Sequence, residues 1–137
     1  MQKQTRRKFI TSAIALTAGV AAAKSMTTME TKKEKPQLVH HVFFWLKNPG
    51  SKEDLRKLLA GLETLRKIET VKSMHIGVPA ETEPRPVVDA SYSASELMFF
   101  DSVEDQKVYQ DHSIHRKFID DCSELWERVV VYDSTDL

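Results

Sequence analysis

An α+β fold, one antiparallel sheet carrying its helices on a single face, is what the sequence predicts for residues 37–134. Three observations carry that expectation. Residues 37–47 (QLVHHVFFWLK) are dense in β-branched and aromatic side chains and stop at Asn48-Pro49-Gly50, a turn cluster. Leu55, Leu58, Leu59, Leu62, Leu65 and Ile68 then recur at helical spacing with Lys, Arg and Glu between them. Strand-like and helix-like patterns continue to alternate along the chain in the order β-α-β-β-α-β, the split arrangement of ferredoxin-like folds.

Each element has its own justification. The first strand is apolar on both sides, with Leu38, Val42, Phe44 and Leu46 on one face and Val39, Phe43 and Trp45 on the other. A strand with one wet face would alternate with polar residues, so both faces of this sheet need cover. Ser51 is positioned to cap the first helix. Residues 70–78 read as a second strand with Met74, Ile76 and Val78 on one face, and the three prolines between Pro79 and Pro86 make the next stretch a loop. Residues 90–100 read as a third strand. Ser102-Val103-Glu104-Asp105 resembles a capping sequence and opens a short helix bearing Val108 and Tyr109. Ile114, Phe118, Ile119, Cys122, Leu125 and Trp126 mark another helical stripe, and residues 128–132 (RVVVY) a last strand.

Helices on one face leave the other face bare, and the apolar residues there form a patch larger than soluble monomers tolerate. The expected partner is therefore a second copy, its sheet facing the first. The chain has 137 residues and 41% apolar composition, enough for one packed core and too short for two domains. Of the 20 basic residues four lie in the first 23, where there is no acidic one. The remaining 114 residues thus carry a net charge of −4. Such a domain lacks the basic stripe that nucleic-acid binding requires. A single cysteine, Cys122, excludes an internal disulfide and a multi-cysteine zinc site.

Residues 1–23 read as an export signal. Thr5-Arg6-Arg7-Lys8-Phe9-Ile10 sets paired arginines before an apolar run of 15 residues that ends in Ala21-Ala22-Ala23. The run is shorter than the ~20 residues that span a bilayer, and the order resembles twin-arginine signals. The expectation is a periplasmic or secreted protein without a stable membrane anchor after cleavage; an uncleaved amphiphilic anchor is the alternative. No cysteine follows the leader, which excludes a lipoprotein. Residues 24–36 are polar, without hydrophobic period, and read as a tether.

His40 and the apolar strand to Lys47, Gly77, the run Phe100-Asp101-Ser102-Val103-Glu104, Tyr109, the pair His112-x-x-His115 and the closing Val130-Val131-Tyr132-Asp133 together resemble the stress-responsive A/B barrel (Dabb) family. The resemblance spans roughly residues 37–134. It implies a dimeric α+β barrel, in agreement with the two-sided strands, but no single function. Members include stress-induced plant proteins, and one branch is a plant polyketide cyclase that performs an aldol-type ring closure. Carried over from that branch, the catalytic pair falls on Tyr109 and His115. Tyr109 would orient a carbonyl, and His115 would take a proton from the carbon beside it. The strand-one histidine falls on His40, a candidate ligand-binding wall together with His112. The cyclase's third-strand histidine has no counterpart near Ala94.

The segment His112-Ser113-Ile114-His115 departs from the family's His-Pro-Ala-His. Ser113 is expected to cap a helix starting at Ile114, which sets His115 in the first turn. There the helix dipole disfavours imidazolium and favours the neutral base. Two readings stand side by side: an acid–base or ligand-binding cleft, and a structural cluster in which Tyr109 is a core aromatic and His115 fixes a helix–strand junction. Their discriminator is geometric, whether Tyr109, His115 and His40 converge on a cavity of a few hundred Å³. A metal set of His112, His115, Asp111 and His40 lacks any tight motif, and no cofactor is expected. His41 reads as structural, His75 as either exposed or in the subunit seam, and Cys122 as a small buried apolar side chain. The functions in competition are a small-molecule-binding or cyclase/lyase-type enzyme, a non-catalytic dimeric stress protein and, by fold analogy, a cofactor-free monooxygenase.

Overall fold

The computed structural model describes residues 37–137; the leader (1–23) and tether (24–36) lie outside the described residues. Four strands form one antiparallel sheet: β1 (Leu38–Leu46), β2 (Ser73–Gly77), β3 (Ala94–Phe100) and β4 (Trp126–Thr135). Their hydrogen-bonded order is β2-β3-β1-β4, so β1 is central and β4 is an edge. Three helices, α1 (Lys52–Thr64), α2 (Val103–Asp111) and α3 (Ser113–Cys122), complete the ferredoxin-like α+β fold. Among the described residues no helix is long and apolar enough to cross a membrane.

Local chemistry explains the helix starts. Ser51 Oγ accepts from the Asp54 amide and Ser102 Oγ from the Asp105 amide, both at 3.1 Å, which satisfies one of the amides each helix leaves open. Acidic residues fill both first turns, where the dipole favours them. After α1 the apolar stripe continues through a single 3₁₀ turn, Leu65–Lys67, so Leu58, Leu62, Leu65 and Ile68 are all fully buried.

The register decides which side chains meet. Leu38, His40, Val42, Phe44 and Leu46 of β1 are buried under the helices, and the intervening residues are half-buried on the opposite face. On β3 the partners of His40, Val42 and Phe44 are Met98, Glu96 and Ala94, all buried on the same side. The opposite face carries an aromatic group: His41 stacks on Phe43 at 4.2 Å, and Tyr92 and Tyr132 meet the Phe43 edge at 4.9 and 6.0 Å. Trp45 lies under the Arg128 guanidinium at 4.3 Å. His75, opposite Leu97 on the same face, is exposed.

The strand limits differ from the sequence reading in three places. β2 begins at Ser73 rather than residue 70, because Thr70 and Val71 still belong to the turn that closes on Ile68. β3 begins at Ala94 rather than residue 90: Ser91 and Tyr92 arch over the end of β1, with Trp45 Nε1 donating to Ser91 Oγ at 3.0 Å. β4 runs from Trp126 to Thr135 rather than 128–132 because it follows the whole of β1, with Leu38 opposite Thr135 and Leu46 opposite Trp126. At this edge Val129 and Val131 are exposed although their β1 partners, Phe44 and Val42, are buried.

Candidate functional site

β1, α2 and α3 bring three of the four sequence-predicted site residues together. Tyr109 sits on the last turn of α2 and is fully buried; His115 is the third residue of α3; His40 is the third residue of β1. The Tyr109 ring lies 4.7 Å from that of His115 and 5.7 Å from that of His40, with Phe100 at 5.2 Å behind it. Each histidine is held by one ring nitrogen. His40 Nδ1 donates to Asp133 Oδ1 on the neighbouring strand at 2.5 Å, and His115 Nδ1 donates to the Gln110 carbonyl at 3.1 Å. At His115 this leaves Nε2 with the free lone pair. Burial, followed by the nearby His40, holds the His115 pKa below its ordinary value, against the pull of the Gln110 carbonyl. A neutral base was expected at this position from the helix dipole; desolvation is the principal cause.

His112 is not part of this group. Its Nδ1 accepts from the Ile114 amide at 3.1 Å and caps α3, while its Nε2 approaches Glu69 at 3.3 Å. This corrects the expectation for Ser113, which is the first residue of the helix and not its cap. The imidazole reaches the second amide beyond it as a short polar side chain would. Both His112 nitrogens are therefore engaged at the α2–α3 junction.

Glu96 was missed by sequence reasoning, although it is the most perturbed carboxyl described. It projects from β3 onto the helix face between Val42 and Ile76 and is 2% exposed. Tyr109 donates its hydroxyl to Glu96 Oε1 through a long contact of 3.5 Å, and Oε2 is buried without a partner. Burial raises the Glu96 pKa to about 8, only partly countered by the Tyr109 hydrogen bond, so the carboxyl is protonated at neutral pH. Burial and the adjacent carboxyl together push the Tyr109 phenol upward. A signal was present in the sequence. Glu96 shares the strand phase of Ala94, Met98 and Phe100, an acidic residue in a wholly apolar row.

The described pocket lies on the other side of α3. It measures about 250 Å³ between α1 and α3, and Gly61, Ile114, Phe118 and Cys122 are among its walls. None of Tyr109, His115 and His40 lines it; Phe118 stands between, its ring 6.3 Å from that of His115. The three residues thus converge on one another rather than on that cavity. Cys122 is buried as expected, and burial raises its thiol pKa. Among the described residues no three His, Cys, Asp or Glu side chains are arranged to hold a metal ion.

The comparisons follow from this architecture. The profile of the stress responsive A/B barrel domain (Dabb) matches residues 38–136. The chain belongs to the Dabb family. Among solved structures it is similar to a Dabb-family protein with a ferredoxin-like fold from Mesorhizobium loti, at 22% identity and TM-score 0.62 over 75% of this chain and 99% of that one. It also resembles a dimeric ferredoxin-like protein of unknown function from Thermobifida fusca, at 15% identity and TM-score 0.61 over 75% and 93%. A third likeness is to the hydroxynitrile lyase of Passiflora edulis, at 18% identity and TM-score 0.61 over 76% and 95%. At these identities the likeness is one of fold. No curated protein matches the sequence. The Dabb resemblance read from His40, Gly77, Tyr109 and His115 is thereby confirmed at the level of family and fold.

Proposed function

We propose that this Dabb protein is an exported homodimer that binds a small carbonyl-containing or aromatic molecule at the Tyr109–His115–His40 cluster. The observation that carries the reading is the pair of histidines, each fixed through Nδ1, against one buried tyrosine. Pairing through the open sheet face is supported by the half-buried aromatic row of β1 and by the dimeric character of fold neighbours. Export is supported by the paired arginines Arg6-Arg7 and the short apolar run after them.

The test is a ligand screen by thermal shift and calorimetry on the full-length protein and on His115→Ala. A carbonyl compound that binds the wild type and is lost with His115→Ala supports the reading. A His115→Ala protein that melts differently and binds every compound unchanged refutes it. The tight packing of the three rings favours one second reading, a non-catalytic dimeric stress protein, which that result would establish. Where a ligand does bind, the catalytic form of the proposal is cyclase- or lyase-type proton transfer, with His115 Nε2 as the base.

A further inference from the structure

The open sheet face carries two histidines for which neither the core nor the Tyr109 cluster has a use. His75 of β2, Leu97 of β3, His41 of β1 and Tyr132 of β4 stand opposite one another and make a single row across the sheet. Both imidazoles lie along their strands. His41 stacks on Phe43 at 4.2 Å, and the His75 ring extends over Gly77, where a Cβ would come within 2.8 Å of its Cε1. Acidic groups are missing from their surroundings. Of the strand residues paired in register on this side, Arg128 alone is permanently charged, and its guanidinium lies 4.3 Å from the Trp45 ring. Tyr92 and Tyr132 are phenols packed on Phe43. Asp89, in the loop before β3, accepts from the Ser91 amide at 2.9 Å and feels the Arg128 charge. Glu127 falls in the irregularity of the β1–β4 register and has no β1 partner. His40, beneath the sheet on the helix side, is bonded to Asp133. Among the described residues no carboxylate is therefore hydrogen-bonded to or ion-paired with His41 or His75. Burial, followed by the charges of His75 and His40, holds the His41 pKa below its ordinary value.

We propose that the open sheet face is a pH-sensitive seam, through which two copies of the chain pair while His41 and His75 are neutral and from which they part when these imidazoles take up protons. The inference rests on the homodimer of the proposed function and adds its regulation. A two-fold contact presents the same patch twice. Four imidazoles then meet between two apolar faces, with two arginines and no acid in strand register to balance an added charge. An imidazole enclosed between the sheets holds a proton less readily than one that faces water. Separation is accordingly coupled to proton uptake. Pairing is strongest above about pH 6.5, where an ordinary histidine is neutral, and weakens as the pH falls through that range. Each imidazole that must shed its proton on pairing weakens the dimer by up to about tenfold per pH unit below it.

Sedimentation equilibrium of the full-length protein at pH 7.5 and pH 5 tests this, with circular dichroism to show that the subunit stays folded. His41→Gln/His75→Gln is measured beside the wild type, and His115→Gln as a control for titration on the helix side. The wild type is expected to be a dimer at pH 7.5 and a folded monomer at pH 5, its dissociation constant higher by at least about a hundredfold. The double variant should stay dimeric at both, and His115→Gln should dissociate as the wild type does. A wild type that pairs equally well at both pH values overturns the inference and leaves the homodimer standing. A monomer at both removes the homodimer and the inference with it. Dissociation that persists in the double variant, or that vanishes in His115→Gln, assigns the proton to another group and overturns the inference as well. Should the double variant not pair at pH 7.5, His75→Gln alone, at an exposed position, must lessen the pH dependence, and an unaltered dependence refutes the role of the row.

Discussion

Replacing Glu96 by glutamine isolates what the buried carboxyl does to stability. In the unfolded chain a glutamate ionises near its ordinary value of 4.5, whereas in the fold burial raises this to about 8. Between these limits the unfolded state has released a proton that the folded state retains. Unfolding is then favoured as pH rises, by about 1.4 kcal/mol per pH unit. The contribution is fully present below pH 4.5 and is lost progressively up to about pH 8. At pH 7 the difference amounts to about 3 kcal/mol, a large share of a typical domain stability of about 5–15 kcal/mol. Glutamine keeps the shape and a partner for Tyr109 but has no proton to lose. Urea unfolding at fixed protein concentration should therefore give similar stabilities for wild type and Glu96→Gln at pH 4.5, diverging to about 3 kcal/mol in favour of the variant at pH 7. In thermal scans the gap corresponds to more than about 10 °C for a domain of this size. Parallel stability curves from pH 5 to 8 would refute the argument, since they would mean that Glu96 ionises alike in both states.

Three further outcomes are expected. His115 titrates with the opposite sign: its pKa is lowered in the fold, so the stability it contributes is present above its ordinary value of 6.5 and is lost as pH falls below it. His115→Gln should flatten the acid limb of the stability curve below pH 6.5. Gly61→Ala would place a methyl 2.6 Å from Cys122 Sγ and 3.0 Å from the Phe118 ring, and should cost about 1–3 kcal/mol. Cys122→Ala in the same chain should restore most of that loss, a coupling that a double-mutant cycle in urea would measure. On the open sheet face, Phe43→Glu sets a charge among Tyr92, Tyr132 and His41. Light scattering should give a dimer for the wild type and a folded monomer for the variant, and an unchanged mass would place the subunit contact elsewhere.

The elements most legible in the sequence were those whose pattern is local. The leucine stripe of α1 and the serine caps at Ser51 and Ser102 are set by neighbours three or four residues away, and all are found in place. Strand lengths were less legible because partners set them. β4 extends to Thr135 since Leu38 at the far end of β1 pairs with it, a relation between residues almost a hundred positions apart. In the site, Tyr109, His115 and His40 were visible as residue types at family spacing. Glu96 was passed over because an acid within a strand ordinarily reads as solvent-facing, although its phase with Ala94, Met98 and Phe100 sets it on the buried side. His112 was misread for a related reason. Its role as a cap depends on an imidazole turning back to an amide, which Ser113 seemed chemically better suited to meet.

The placement of β1 has a consequence for how the chain can be made. The first strand of the domain to be synthesised lies inside the sheet, and its two neighbours are β3 and β4, the last two strands to be made. A nascent chain stopped before Trp126 would hold β1 with one row of amides and carbonyls unsatisfied, the condition that invites aggregation. Folding of this domain must therefore wait until β4 has been made. Until then the central strand has to be kept from other partners, so the interval between the synthesis of β1 and that of β4 is the one in which this fold is most exposed to mispairing.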